Sequence, residues 1–222
     1  MLRKILLLFV LTGALGTEGA EGPVRSLHLY KSYNDTAAIF DKACDTAQMT
    51  NGVGKFLLGT VANCREAAAK DGKSPSAIGS MGGRWLEWGV LVALKENRLV
   101  PAYWQAEFVQ VPKNYNDVLL WSKEYGPVIL SCKTSLRERY KQADLEAVAL
   151  RQHYPNARFF LVTLDEDKRH VASVRRKIVE KELLALHAVY DETNMEELFA
   201  TLRKMTLTEV PERTLKSGQA VR

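Results

Sequence analysis

Asp117, Ser131, Lys133 and Glu146, in the middle of this sequence, are residue types that could do acid–base or ion-binding chemistry if the fold brings them together. Asp117 stands at the start of one apolar run, and a second run, PVILSCK, ends in Ser131-Cys132-Lys133. Alternate side chains of a strand share a face, so the spacing predicts Ser131 and Lys133 on one side and Cys132 on the other. If the two runs pair, Asp117 lies beside Ser131 and Lys133. A lysine at the end of an apolar strand is costly to bury without a partner, which Asp117 or open solvent would supply. The same pattern also reads as a plain strand-end salt bridge. Glu146 lies three residues after Ala143 and one before Ala147, at the border of a helical apolar stripe, where a carboxylate can point toward the strand ends.

The elements that must position these residues follow from periodicity. Three short runs, Phe108 to Val111, Val118 to Trp121 and Val128 to Cys132, are rich in β-branched and aromatic residues and predict a strand meander. A helix is expected from about Ser135 to His153, with Ser135 as N-cap and Glu138 completing a capping box. Its apolar stripe is Leu136, Tyr140, Ala143, Ala147 and Leu150. Strands at 159–164 and 186–190, a helix near 174–184 and a last helix over 195–205 complete this half. Upstream, apolar residues at helical spacing on either side of Asn51-Gly52 predict a helical hairpin from Thr36 to about Lys70. The Gly-, Ser- and Pro-rich segment Asp71 to Gly83 reads as a loop, and Arg84 to Asn97 as a largely buried helix. The order predicts an α/β fold whose mixed sheet is covered on both faces. After Val210 the tail has little apolar content and is expected to be mobile.

The run SCKTSLRERYKQADLEA resembles the active-site block of the PD-(D/E)xK nuclease superfamily, in the restriction endonuclease-like branch with a rearranged site. In that branch Ser-x-Lys is followed by a glutamate after twelve residues, and here positions 134 to 145 separate Lys133 from Glu146. The usual pattern places a carboxylate two residues before the lysine; Ser131 stands there, and Glu146 would replace it from the helix. Asp117 matches the aspartate before the block, although Asn116 takes the place of a frequent proline. Glu87, in GRWLEWGV, matches a glutamate from the helix before the meander. The resemblance is specific over 117–164 and architectural over 84–210, and the first eighty residues add nothing to it.

It implies a restriction endonuclease-like mixed sheet over 84–210, to which the helical periodicity upstream adds an N-terminal helical region over 17–83. It also implies a Mg2+-dependent endonuclease on DNA, with type II-like sequence specificity and a homodimer as the simplest way to cut both strands. Asp117, Ser131, Lys133, Glu146 and Glu87 would form the catalytic set, Asp117 and Glu146 holding the metal. Arg137, Arg139 and Lys141 would contact the phosphate backbone, as would the second basic cluster from Lys168 to Lys177 unless its acidic neighbours make it an ordinary charged surface. The alternative is a catalytically inert nucleic-acid-binding or interaction protein that keeps this fold. A Ser-Lys hydrolase built on Ser131 is disfavoured, since no nucleophile elbow surrounds it.

Composition bounds these readings. The 222 residues, with 46% hydrophobic and 26% charged, fit one ordinary globular domain and exclude collagen-like, coiled-coil and disordered classes. A net charge of +5 is compatible with a polyanionic partner without requiring one. Residues 1–16 resemble a secretory signal peptide, too short to span a bilayer, which implies export if it is cleaved and a cytoplasmic protein otherwise. Cys132 reads as a buried free thiol; Cys44 and Cys64 either pair or stay reduced. The four tryptophans read as core rather than as base-stacking platforms.

Overall fold

The computed structural model describes residues 21–29 and 33–222. The signal-peptide reading of residues 1–16 lies outside the described residues. Within them, no helix is long and apolar enough to cross a membrane.

Helices come first: α1 (Pro23–Ser26), α2 (Asp35–Ala43), a 3-10 turn (Thr46–Asn51), α3 (Val53–Lys70) and α4 (Pro75–Glu96). Then come β1 (Ala102–Phe108), β2 (Tyr115–Ser122), β3 (Gly126–Lys133), α5 (Arg139–Arg151), β4 (Arg158–Thr163), α6 (Lys168–Val179), β5 (Ala188–Tyr190), α7 (Met195–Arg203) and β6 (Leu215–Val221). The six strands form one mixed sheet in the order β5-β4-β3-β2-β1-β6. β6, β1, β2 and β3 are antiparallel neighbours, whereas β3, β4 and β5 run parallel. Parallel neighbours need a crossover, and α5 and α6 provide them. The fold is therefore the expected α/β arrangement, a mixed sheet flanked by helices with a helical region at the N-terminal side.

Strand alternation divides the core in two. Val118, Leu120, Val128, Leu130 and Cys132 pack with α2, α3, α4 and α7 on one face. Leu119, Ile129, Phe159 and Leu161 pack with Tyr140, Ala143, Ala147 and Leu150 of α5 and with Val171 and Val174 of α6 on the other. The N-terminal helices share the first of these cores, which runs from Val24 to Val221. Gly54 shows how close the fit is: a Cβ there would sit 2.0 Å from the carbonyl oxygen of Glu192.

Four expectations are corrected. The segment read as a loop over Asp71 to Gly83 is mostly helix, because Ser74 caps it by accepting from the Ala77 N–H and Pro75 occupies the first turn. Ile78 and Met81 then pack on the core, which outweighs the poor helix propensity of the glycines. The long helix starts at Arg139 rather than Ser135, and the capping box does not form. Leu136 is fully buried, its N–H donates to Asp165 Oδ2 at 2.6 Å, and Arg137 has a φ of +28°, so the chain there cannot continue a helix. The tail read as mobile is strand β6, paired along β1 from Phe108↔Leu215 to Ala102↔Val221. An edge strand is held by its backbone ladder and needs few apolar side chains, and here Val221 is the buried one. The first strand also lies earlier than the Phe108 to Val111 run.

Truncation after Thr214 tests the edge-strand assignment. Loss of β6 exposes the β1 edge and part of the core, so the shortened chain is expected to unfold at a clearly lower temperature and to aggregate in thermal scans. A dispensable tail would leave both unchanged.

Candidate active site

The β2–β3 ladder is in register from Ser122↔Gly126 to Val118↔Leu130 and goes no further, while β3 continues beside β4 as far as Lys133↔Thr163. The strands part at Asp117, and its carboxylate occupies the gap. Its Oδ2 accepts from the Cys132 backbone N–H at 2.8 Å, from Lys133 Nζ at 2.8 Å and from Ser131 Oγ at 3.4 Å. The carboxylate thus satisfies an amide that the parted ladder leaves without a strand partner. Oδ1 takes no hydrogen bond among the described residues. Both side chains of the Asp117–Lys133 pair are mostly enclosed, at 12% and 14% exposure.

Burial alone would pull the Lys133 pKa down, but the charge and hydrogen bond of Asp117 more than reverse this, with a small contribution from Glu146. Lys133 is therefore a fixed cation at neutral pH. That argues against the Ser-Lys hydrolase, in which a neutral lysine must take the serine proton, and the Lys133 ammonium bonds Asp117 rather than Ser131. Cys132 points into the opposite core, where burial first, and then the charge of Asp117, raises its thiol pKa well above normal.

Glu146 reaches the same place from α5. Asp117, Ser131 and Glu146 line one small cavity of about 10 Å3 with Tyr115, Asn116 and Phe159, roughly the room of a single water. Burial raises the Glu146 pKa, partly offset by a hydrogen bond from Gln142 Nε2 at 2.8 Å and by the charge of Lys133. Asp144, two residues earlier, accepts from the N–H groups of Leu184, Ala185 and Leu186 at 2.8 to 3.0 Å. This clamp sets the rotation of α5 against the chain entering β5, and with it the side from which Glu146 approaches.

Glu87 stands apart from that cavity. Its Oε2 accepts from Trp104 Nε1 at 2.7 Å and Gln105 Nε2 at 2.8 Å, with Arg84 Nη1 at 3.9 Å. Burial first, then the Asp117 charge, raises its pKa, so the two carboxylates are electrostatically linked without sharing a hydrogen bond.

The first basic cluster is exposed at the start of α5. Lys141 pairs with Glu138 at 2.5 Å, while Arg137 and Arg139 make no ion pair among the described residues. The second cluster is largely neutralised: Lys168 pairs with Glu192, Arg175 with Asp191, Arg176 with Glu180 and Lys177 with Glu182. It behaves as an ordinary charged surface. Trp85, Trp88 and Trp104 are buried, as expected of core residues. Cys44, Cys64 and Cys132 are free thiols.

Sequence reasoning missed Gln142, Asp144, Asp165 and Gln105. Gln142 was detectable, since it stands four residues before Glu146 on one helix. The others act through long-range backbone or buried contacts that no local pattern announces. No family model, curated protein or solved structure matches the chain.

A double-mutant cycle tests the enclosed ion pair. Lys133→Met is expected to cost about 3 kcal/mol in urea unfolding, because it leaves Asp117 buried without its cation. Adding Asp117→Asn should recover most of that loss. Equal and additive losses would show that the two groups do not interact.

Proposed function

We propose that this chain is a Mg2+-dependent endonuclease that hydrolyses DNA phosphodiester bonds, of the restriction endonuclease-like kind its Ser-x-Lys-x12-Glu run resembles. The observation that carries the reading is the Asp117–Lys133 pair, fixed where β2 and β3 part, with Asp117 and Glu146 lining one small cavity. Among the described residues no three His, Cys, Asp or Glu side chains are grouped to hold a metal. Mg2+ does not need such a cage, since it usually takes one or two carboxylates and fills its shell with phosphate oxygens and water. Asp117, whose Oδ1 takes no hydrogen bond among the described residues, and Glu146 fit that demand. When bound, the ion supplies Lewis-acid stabilisation of phosphate charge and makes a bound water more acidic.

The chain's own residues have separate tasks. Asp117 holds the Lys133 ammonium where negative charge grows on phosphorus-bound oxygen as the water oxygen attacks and a phosphorus–oxygen bond to deoxyribose breaks. Ser131 packs beside the pair and donates to Asp117, a spacing role rather than a nucleophilic one. Glu146 must be ionised to contribute, and burial makes this harder. Arg137 and Arg139, without an ion pair among the described residues, would hold backbone phosphate. A homodimer would bring two such centres to the two strands.

One observation favours the second reading, a binding-only protein of the same fold: only two carboxylates meet at the cavity, and Glu87 is committed to Trp104 and Gln105. Cleavage of supercoiled and linear DNA by the purified protein, with Mg2+ or EDTA, separates the two. Metal-dependent cutting that falls about 100-fold or more in Lys133→Ala, with DNA binding retained, is the expected result. Undiminished cutting by that variant would remove Lys133 from the centre, and no cutting by a well-folded wild type would leave the binding-only reading.

The pH dependence has a definite sign. Glu146 titrates above the ordinary glutamate value because of its burial, so its charge is lost at a higher pH than usual as the solution is acidified. Mg2+ affinity, followed by calorimetry, is expected to fall between neutral and mildly acidic pH, and the fall should shrink in Glu146→Gln. A profile unchanged by that substitution would remove Glu146 from the metal site.

A further inference from the structure

Between Lys133 and α5 the chain turns a corner over residues 134–138, and this corner is held from several sides. Leu136 is fully buried, and its N–H donates to Asp165 Oδ2 at 2.6 Å. The Leu136 carbonyl accepts from the Arg139 N–H at 2.5 Å. The Arg137 carbonyl lies 3.2 Å from Nε2 of His170, in the first turn of α6. A carbonyl oxygen only accepts, so Nε2 carries the proton and the imidazole donates. The His170 ring in turn sits edge-on to Tyr140, with centroids 5.7 Å apart. The peptide groups on either side of Arg137 are therefore both tied down, and its Cβ has one direction to take.

Arg137 occupies the left-handed region, with a φ of +28°. Crowding at Cβ disfavours that region for every residue except glycine. The Arg137 side chain is exposed and makes no hydrogen bond or ion pair among the described residues, so no contact of its own offsets the strain. The neighbouring acid, Glu138, is taken up by Lys141. Strained backbone persists where its surroundings over-determine it, and it concentrates at ligand clamps and active sites. Here the strained residue carries an unpaired guanidinium four positions after Lys133. A guanidinium meets phosphate through a planar fork of donors, so its orientation decides the contact, and fixing it in advance lowers the cost of ordering it on binding.

We propose that this corner presets Arg137 to grip a backbone phosphate of DNA beside the Lys133 centre, and that His170 is the positioning residue that holds it there. The inference rests on the nuclease reading for the identity of the ligand.

The test is the affinity of the full chain for a paired DNA duplex, in EDTA, followed across a range of salt concentrations. Arg137→Gly removes both the guanidinium and the strain: affinity should fall about tenfold and the salt slope by about one, with no drop in unfolding temperature. His170→Ala should weaken binding about threefold or more in wild type and have no effect when added to Arg137→Gly. His170→Gln, which keeps a donor at the place of Nε2, should restore wild-type affinity. Unchanged binding by Arg137→Gly or by His170→Ala would overturn the inference. So would a His170→Ala loss that persists without Arg137, a loss that His170→Gln fails to restore, or an Arg137→Gly loss matched by a lower unfolding temperature. The expected pattern in a protein that never cuts DNA with Mg2+ would uphold the clamp while defeating the nuclease, and Mg2+-dependent cutting with affinity unaltered by these substitutions would do the reverse.

Discussion

The Asp117 carboxylate fills the gap that opens where β2 and β3 part, and one of its oxygens binds a backbone amide, a lysine and a serine at once. A gap of this kind at a strand end would otherwise leave the Cys132 amide and the Lys133 ammonium to compete for solvent in a mostly enclosed place. The anion resolves both demands, and in doing so it keeps Lys133 charged and immobile. A buried ion pair is a poor source of stability compared with apolar packing. Its placement where β2 and β3 part, facing a second carboxylate, accords with a site in which charge has been retained for chemistry.

The rest of the architecture holds that gap in place from two sides. On one face, α4 lies against β1, β2 and β3 and presents Glu87 to Trp104 and Gln105, behind the carboxylate. On the other, α5 is locked by Asp144 to the chain entering β5 and by Asp165 to the segment that follows Lys133. Both aspartates bind backbone amides, so the site residues ride on rigid elements rather than on exposed loops. The parallel β3-α5-β4 unit brings Lys133 at a strand end and Glu146 on the crossover helix to the same edge of the sheet, although twelve residues lie between them.

Much of this was legible in the residues themselves. Period-two alternation placed Ser131 and Lys133 on one face and Cys132 on the other, and the apolar stripe of α5 put Glu146 at its border. What failed had particular physical causes. β6 carries little apolar surface because a ladder to β1 holds it, and hydropathy is blind to backbone ladders. The glycines of 79–83 concealed the first turns of α4, whose Ser-Pro start was the better signal. The capping box at Ser135 satisfied a local rule, but Asp165, thirty positions on, took the Leu136 amide instead. Contacts such as Gln105 with Glu87 depend on a left-handed residue in β1, with a φ of +49°, which no periodicity foretells.

A Mg2+-dependent centre requires that the Asp117 carboxylate hold a divalent ion together with Glu146. Titration of Mn2+, as a paramagnetic substitute for Mg2+, into wild type, Asp117→Asn and Glu146→Gln, read by water-proton relaxation, measures this without any substrate. Saturable binding by wild type that weakens about tenfold or more in each variant, with the fold intact by circular dichroism, is the predicted result. Wild-type binding that both variants match would place the metal elsewhere and contradict the account.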